Sequence, residues 1–488
     1  MTIEHQTDTV KFADLNFTNR LSKHCPHLFV KVQSTPLQNP VVLHINHDLL
    51  ARLEIDSREV EKSSFTRLLN GDLDFEGVLS ASTYYSGHQF GHYVPRLGDG
   101  RALMLGEVKT SQGEYFELQL KGAGLTPFSR MGDGKAVVRS SIREYLASAH
   151  LRALAIPTTE ALAIIHGSDD VYREEVEKAA VVLRVATSFL RFGHFQYLAH
   201  THQEAELKSL LDFTINTYFS EFAGHPNRTL LFFQSVVKKT AMLFARWQSV
   251  GFCHGVLNTD NMSILGLTVD YGPYGFIDHL DLDHICNHSD HEGRYSFGNQ
   301  PPIGMWNLEQ LGIALSTMIS AEELKRTLET YPQIFHFEYR RLLKDKLGLQ
   351  KSTESDEAFL KQTLNMLVAT QIDYTQFFRE LSHYQTTKKL SFADSAELSA
   401  FLAIYEERLK MEESSAEERQ NKMLATNPKF ILRNFMAQIA TENYLNKPEI
   451  LANMFQVLTH PFDEWPEFEE WSKCAPLKYK NFSVSCSS

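Results

Sequence analysis

The chain has 488 residues, 43% of them hydrophobic and 22% charged, with a formal net charge of −12. That length allows two or three domains or one large two-lobed enzyme. The acidity excludes non-specific nucleic-acid binding and any electrostatic pull towards an anionic membrane. A nucleotide site stays open, because a metal ion and a few local cations hold phosphates. No apolar run reaches the ~20 residues that span a bilayer, and residues 1–5 carry acid early with no apolar or Arg-rich targeting pattern. The five cysteines (Cys25, Cys253, Cys286, Cys474, Cys486) include no CxxC, so neither a disulfide framework nor a zinc ribbon is expected. The expectation is a cytoplasmic protein with mostly free thiols.

Residues 1–83 mix short apolar runs with polar turns. Residues 12–16 and 40–44 read as loop and edge strand, residues 46–55 as a short helix, and the whole as an N-terminal extension packing on the strand-rich lobe. That lobe, residues 84–195, is rich in strands and glycine. Tyr85-Ser86-Gly87-His88-Gln89-Phe90-Gly91 leads to Leu97-Gly98-Asp99-Gly100-Arg101, and strands over 102–108 and 115–120 are joined by a turn at Ser111-Gln112-Gly113. A glycine-rich turn exposes backbone N–H groups that cradle phosphates, although Gly-x-Gly is also common in plain hairpins. Lys121 ends the second strand, and Glu144 lies twenty-three residues on, in a helix predicted over 140–154. In protein kinases a strand Lys and a helix Glu form the brace that positions nucleotide phosphates; a solvated surface lysine is the plainer reading. Between them runs a second glycine-rich, cationic loop, 122–135, whose Gly134-Lys135-Ala136 lacks the Ser/Thr of a P-loop. Strands follow over 161–165 and 179–186. Arg184 interrupts the second and Arg191 comes soon after, as a structural ion pair or as a phosphate clamp, since a buried guanidinium needs an anion.

From residue 196 to 470 the pattern turns helical, with apolar residues three and four apart over 204–222, 229–250, 305–319, 321–331, 338–347, 357–370, 396–411 and 430–445. Near the start of this half lies Cys253-His254-Gly255-Val256-Leu257-Asn258-Thr259-Asp260-Asn261, then a stretch, 262–269, read as a hairpin, then Asp270-Tyr271-Gly272. His254 and Asn261 keep the offset of the kinase H-R-D-x-x-x-x-N loop, and Asp270-Tyr271-Gly272 stands where D-F-G supplies a metal-binding Asp. The kinase base, however, is replaced by Val256, which accepts no proton. Either the chain is a disabled kinase or its scaffold runs another reaction with another base. A run of acid, His and Cys over 278–291 is the rival, a transition-metal site, but it lacks helical ligand spacing and reads better as an activation segment. The polar tail, 471–488, ends Cys486-Ser487-Ser488.

These motifs, with Leu118-Gln119-Leu120-Lys121-Gly122-Ala123-Gly124, Gly132-Asp133-Gly134, Arg139-Ser140-Ser141-Ile142-Arg143-Glu144, Ile156-Pro157-Thr158-Thr159 and Cys286-Asn287-His288-Ser289-Asp290, resemble the selenoprotein O family from residue 85 to the C-terminus. The resemblance implies an α+β, protein-kinase-like two-lobed fold and a protein adenylyltransferase that moves AMP from ATP to Ser, Thr or Tyr hydroxyls of proteins, with ATP inverted relative to kinases. UTP is kept as an alternative donor. It also implies that Gly98, Gly100, Arg101, Lys121, Asp133, Gly134, Arg184, Arg191 and Asp270 bind ATP, that Asn261 and Asp270 hold Mg²⁺ or Mn²⁺, and that Asp260 is the base. Glu144 is the brace, and Cys286 and Cys486 form a redox-sensitive pair. Lys135, where many members carry Arg, keeps the charge. A γ-phosphoryl transferase and a catalytically dead ATP-binding scaffold are the alternatives.

Overall fold

Alternation in Phe116-Glu117-Leu118-Gln119-Leu120-Lys121 is the pattern of a strand with one apolar face and one polar face. In the computed structural model, which describes residues 15, 17–72 and 76–479, that strand lies in the middle of an antiparallel sheet. The strands are β1 (Phe17–Thr18), β2 (Phe29–Lys31), β3 (Val41–Ile45) and β4 (Ala81–Thr83). A separate hairpin follows, β5 (Gly87–Gln89) and β6 (His92–Val94). Then come β7 (Ala102–Lys109), β8 (Tyr115–Lys121), β9 (Ala136–Val137), β10 (Glu160–Tyr172) and β11 (Val176–Ala186). The sheet order is β2-β4-β7-β8-β11-β10-β3, with β1 on β7 and β9 on β11. Residues before 84 therefore complete the sheet, with β3 at its edge as the sequence suggests.

The sheet separates two cores. On β11, Val181, Leu183 and Val185 face one core, shared with Leu49 and Leu50 of α2 (His47–Arg52) and Phe65 and Leu68 of α3 (Ser63–Leu69); α1 (Arg20–His24) precedes them. Ala180 and Val182 face the other way, into the core built on Ile142 and Leu146 of α4 (Val138–Ala153). Each such fully buried Leu, Ile or Val contributes ~1.5–3 kcal/mol. Arg184 shares the face of Ala180 and Val182, so period two alone aims it at α4.

The rest is helical: α5 (Phe192–His200), α6 (Glu204–Tyr218) and α7 (Arg228–Val250), a two-strand ladder of β12 (Phe252–Cys253) and β13 (Gly275–Phe276), then α8 (Gln300–Ala314), α9 (Ala321–Leu328), α10 (Tyr331–Lys346), α11 (Asp356–Thr370), α12 (Tyr374–Thr387), α13 (Ala396–Leu409), α14 (Ala416–Thr426), α15 (Asn434–Asn443) and α16 (Glu449–Thr459). No helix among the described residues is long and apolar enough to cross a membrane. Late in the chain, α16 returns to the sheet: the Leu458 carbonyl accepts a hydrogen bond from His150 Nδ1 of α4 at 2.9 Å.

Several expectations need correction. Residues 262–269 do not pair with each other. Ser263 bridges to Arg191 and Thr268 to Thr158, so the stretch joins the two halves of the chain. The helix expected over 305–319 runs five residues earlier, because Pro301 and Pro302 fit its first turn. The helix expected over 321–331 stops at Leu328, and Tyr331 starts the next with Pro332 in its first turn. The sequence reading also missed α5, whose residues are buried almost all round and so leave no amphipathic stripe. It missed α12, α14 and α16 as well.

Candidate active site

The sheet, the loop after β12 and the glycine-rich loop after β8 enclose a cavity of about 780 Å³, a size suited to a nucleotide-sized ligand. Its described lining carries seven Lys and Arg side chains against four Asp, a cationic hollow in an acidic chain. A second cavity of about 980 Å³ lies by Lys31 and Asn70, but its Arg67 and Asp72 neutralise each other at 2.5 Å and no group of catalytic type converges there.

The deep wall follows from strand register. Arg184 lies opposite Gln119, and Val182 opposite Lys121, so Gln119, Lys121 and Arg184 share one face. Glu144, one turn into α4, meets them: Lys121 Nζ and Arg184 Nε each bond its carboxylate, and Arg184 Nη2 adds a bond at 3.0 Å. Arg184 Nη2 also reaches Asp270 Oδ1 at 3.0 Å, and Arg191 Nη1 bonds Asp270 Oδ2. These side chains form one buried network with Asp270 at its open end, 28% of its side chain exposed. Burial alone would raise the Glu144 pKa, but Arg184 and Lys121 outweigh it and hold it at about 2. Burial pushes Lys121 down to about 8 against the pull of Glu144, leaving it charged at neutral pH. Desolvation pushes the half-buried Asp270 carboxyl up, yet Arg191 and Arg184 keep it far below the usual range.

The loop after β12 is pinned by side chains bonded to its backbone, since buried peptide groups need partners. The His254 N–H donates to Gln300 Oε1 at 2.8 Å, and His254 Nε2 donates to the Val269 carbonyl at 2.9 Å. Asn287 Nδ2 donates to the Gly255 carbonyl and Asn307 Nδ2 to that of Leu257, both at 3.0 Å. His254 thereby ties the loop to the segment that carries Asp270. Val256 lines the cavity, as does Asp260. Asp260 is 6% exposed, and its Oδ1 has no hydrogen-bond partner among the described residues. Burial raises its pKa to about 6 despite Arg191.

The donors around a metal fit a hard cation. Asn261 Nδ2 donates to the Val256 carbonyl at 3.0 Å, leaving Oδ1 as an acceptor, and Asp270 adds carboxylate oxygens. Mg²⁺ and Mn²⁺ prefer such all-oxygen sets. The rival run over 278–291 does not assemble one. Among the described residues, the one cluster of three ligating groups joins Asp278 to Asp373 and Cys474, and Arg433 inserts between the two carboxylates, supplying the positive charge already.

Gly98, Gly100, Arg101, Asp133 and Gly134 also line the cavity. Gly134 has φ +71°, and a Cβ there would lie 2.2 Å from the Gly124 carbonyl oxygen, so the loop closes on itself only with glycine. Asp133 is paired with Arg173 through two bonds of 2.8 Å, a partner the sequence reading did not find. Arg101 forms no ion pair among the described residues and projects into the hollow. Glu144 stands behind the wall rather than on it. Cys286 sits behind the catalytic loop, buried, its Sγ 3.2 Å from Cys253 Sγ, and Cys486 lies outside the described residues. Sequence reasoning also missed Arg143. Its guanidinium lies 4.5 Å from the centre of the Tyr274 ring and donates to the Tyr274 carbonyl at 2.7 Å, bracing the segment after Asp270. An arginine amid the buried face of α4 was the available signal.

Cations gathered along the wall of a nucleotide-sized cavity, with the Asp270 carboxylate bonded among them and the Asp260 carboxylate on the adjoining loop, define an enzyme that works on a phosphate ester. Comparison with known proteins gives the reaction. Residues 11–462 match the family model described as protein adenylyltransferase SelO. The "Protein nucleotidyltransferase YdiU" of Stutzerimonas stutzeri is 43% identical over 97% of this chain and 99% of its own length. Those of Ectopseudomonas mendocina (42%, over 98% and 100%) and Pseudomonas aeruginosa (41%, over 97% and 99%) are similar. The chain is a nucleotidyltransferase and belongs to the protein adenylyltransferase SelO family, which implies ATP as substrate.

Proposed function

We propose that the chain transfers AMP from ATP to Ser, Thr or Tyr hydroxyls of proteins, on a kinase-like two-lobed scaffold in which ATP lies inverted relative to a kinase. The observation that carries this reading is the pairing of Val256 with Asp260. The kinase base position holds an apolar side chain, while four residues on a buried carboxylate keeps one oxygen unpartnered at the cavity wall. Lys121, Arg184 and Arg191 hold the β- and γ-phosphates at the deep wall, and Gly98, Gly100, Arg101, Asp133 and Gly134 enclose the nucleotide. The α-phosphorus is left towards the entrance. The acceptor hydroxyl gives its proton to Asp260 as its oxygen bonds to the α-phosphorus, and the bond to the β-phosphate oxygen breaks, releasing pyrophosphate. Asn261 and Asp270 would hold Mg²⁺ or Mn²⁺, which supplies charge neutralisation on the phosphates. The phosphates compete with Asp270 for Arg184 and Arg191, freeing its carboxylate for that ion.

The test is incubation with ATP labelled at the α- or the γ-phosphate, followed by intact-protein mass. Label from the α-position and a gain of one AMP on protein are expected. Exclusive γ-label transfer would make the chain a kinase, and no covalent label from either position would make it a binding scaffold. UTP in parallel tests the alternative donor.

A further inference from the structure

Among the described residues the hairpin of β5 and β6 pairs with no other strand, its three pairs all internal. It is docked instead on the catalytic loop. The His88 N–H donates to Thr259 Oγ1 at 2.7 Å, and Thr259 in turn donates to Gln196 Oε1 of α5 at 2.6 Å. On the other side the Phe90 N–H donates to Tyr295 Oη at 2.8 Å, which donates to Asn258 Oδ1 at 2.7 Å. So the residues flanking Gln89 are tied, directly or through one side chain, to the two residues that precede Asp260. The approach is close: a Cβ on Gly87 would lie 2.9 Å from Asp260 Oδ1. All this buried polar apparatus holds one side chain, Gln89, against the carboxylate. Gln89 Nε2 donates to Asp260 Oδ2 at 3.4 Å, while Arg191 bonds only the Asp260 backbone carbonyl.

We infer that Gln89 is the positioning residue for Asp260, anchoring Oδ2 so that the unpartnered Oδ1 faces the incoming hydroxyl. An aspartate's terminal torsion is broad, and a carboxylate held at neither oxygen presents its lone pairs in many directions. One side-chain donor on one oxygen selects among them, and nothing else among the described residues bonds a side chain to that carboxylate. The inference rests on Asp260 being the base.

The test uses Gln89→Met, which keeps the length and loses the donor, and Gln89→Leu as a second donor-free variant. Both are assayed on the full chain with α-labelled ATP and an unstructured acceptor protein rich in Ser, Thr and Tyr. A lost hydrogen bond to a charged group predicts a kcat roughly 10-fold lower, with ATP affinity and acceptor KM within about twofold of the parent. In an Asp260→Ala background, followed by single turnover, Gln89→Met should cause no further loss, because the group it acts through is gone. An undiminished kcat in both variants, a matching loss of ATP affinity, or the same fold-loss in the Asp260→Ala background overturns the role of Gln89 while leaving the base reading intact. Full turnover by Asp260→Ala overturns the base reading itself, and the inference with it.

Discussion

Asp270 lines the cavity with a left-handed backbone, φ +58°, at a residue that is not glycine. Left-handed backbone costs such a residue of order 1–3 kcal/mol and persists where the surroundings over-determine it. Here two arginines do so, one on each carboxylate oxygen. The carboxylate lines the cavity, where the proposed reaction needs the metal and the phosphates to meet. Asp270→Ala should abolish transfer while leaving secondary structure intact, because Arg184 keeps Glu144 and Arg191 keeps the Asp260 carbonyl as partners once the carboxylate is gone. Circular dichroism and the α-label assay at millimolar Mg²⁺ and Mn²⁺ check this. A variant retaining most of its activity would remove Asp270 from the metal site.

The strand pair β7–β8 carries a second acidic group away from the cavity. Glu117 lies opposite Glu107 on the neighbouring strand, and Glu107 is engaged by Arg20 at 2.7 Å. Glu117 itself is 2% exposed and accepts the Phe189 N–H at 2.7 Å and the Ser188 hydroxyl at 3.2 Å. Burial outweighs those bonds and raises its pKa from 4.5 to about 8. The folded chain thus keeps a proton that the unfolded chain has lost. The stability this gives is complete below pH 4.5 and is lost as pH rises through 8. Glu117→Gln, neutral at every pH, should be more stable than the parent by ~1–3 kcal/mol at pH 8 and no more stable near pH 4.5. Denaturant titrations of both proteins across that range measure the difference, and parallel curves would show that Glu117 titrates as an ordinary surface acid.

Over the whole molecule, the cavity is assembled from segments far apart in the chain, and Cys253 and Cys286 meet behind the loop after β12. Cys286 Sγ approaches the Cys253 carbonyl at 3.4 Å as well as the Cys253 thiol, directly behind His254. Burial pushes its pKa well up, so the thiolate that forms disulfides is scarce. The family resemblance implies pairing with Cys486, and the expected outcome of mild oxidation is a Cys286–Cys486 linked peptide, with activity restored by reductant. Cys286 is 6% exposed, so oxidation should be slow in the resting chain. Recovery of a Cys253–Cys286 peptide would relocate the switch to the back of the catalytic loop, and free alkylation of all three thiols after oxidation would end the idea.

The sequence by itself determined the central strands β7, β8, β10 and β11 and the polarity of their faces, because side-chain direction follows from a local period of two. Lys121 and Arg184 were legible as cationic residues of strands, and Asp260, Asn261 and Asp270 as a loop and the carboxylate that follows it, since motif spacing is also local. The approach of Lys121 to Glu144 came from kinase analogy, and only strand register and the crossing of α4 fixed its geometry. Four other matters depended on contacts between distant segments. Arg184 proved both an ion pair and a wall of the cavity, Asp133 found Arg173, and residues 262–269 chose partners across the chain over each other. Gln89 reached Asp260 through a hairpin that no propensity marks. Such pairings balance desolvation against charge in a packed interior, and that balance exists only once the chain has folded around them.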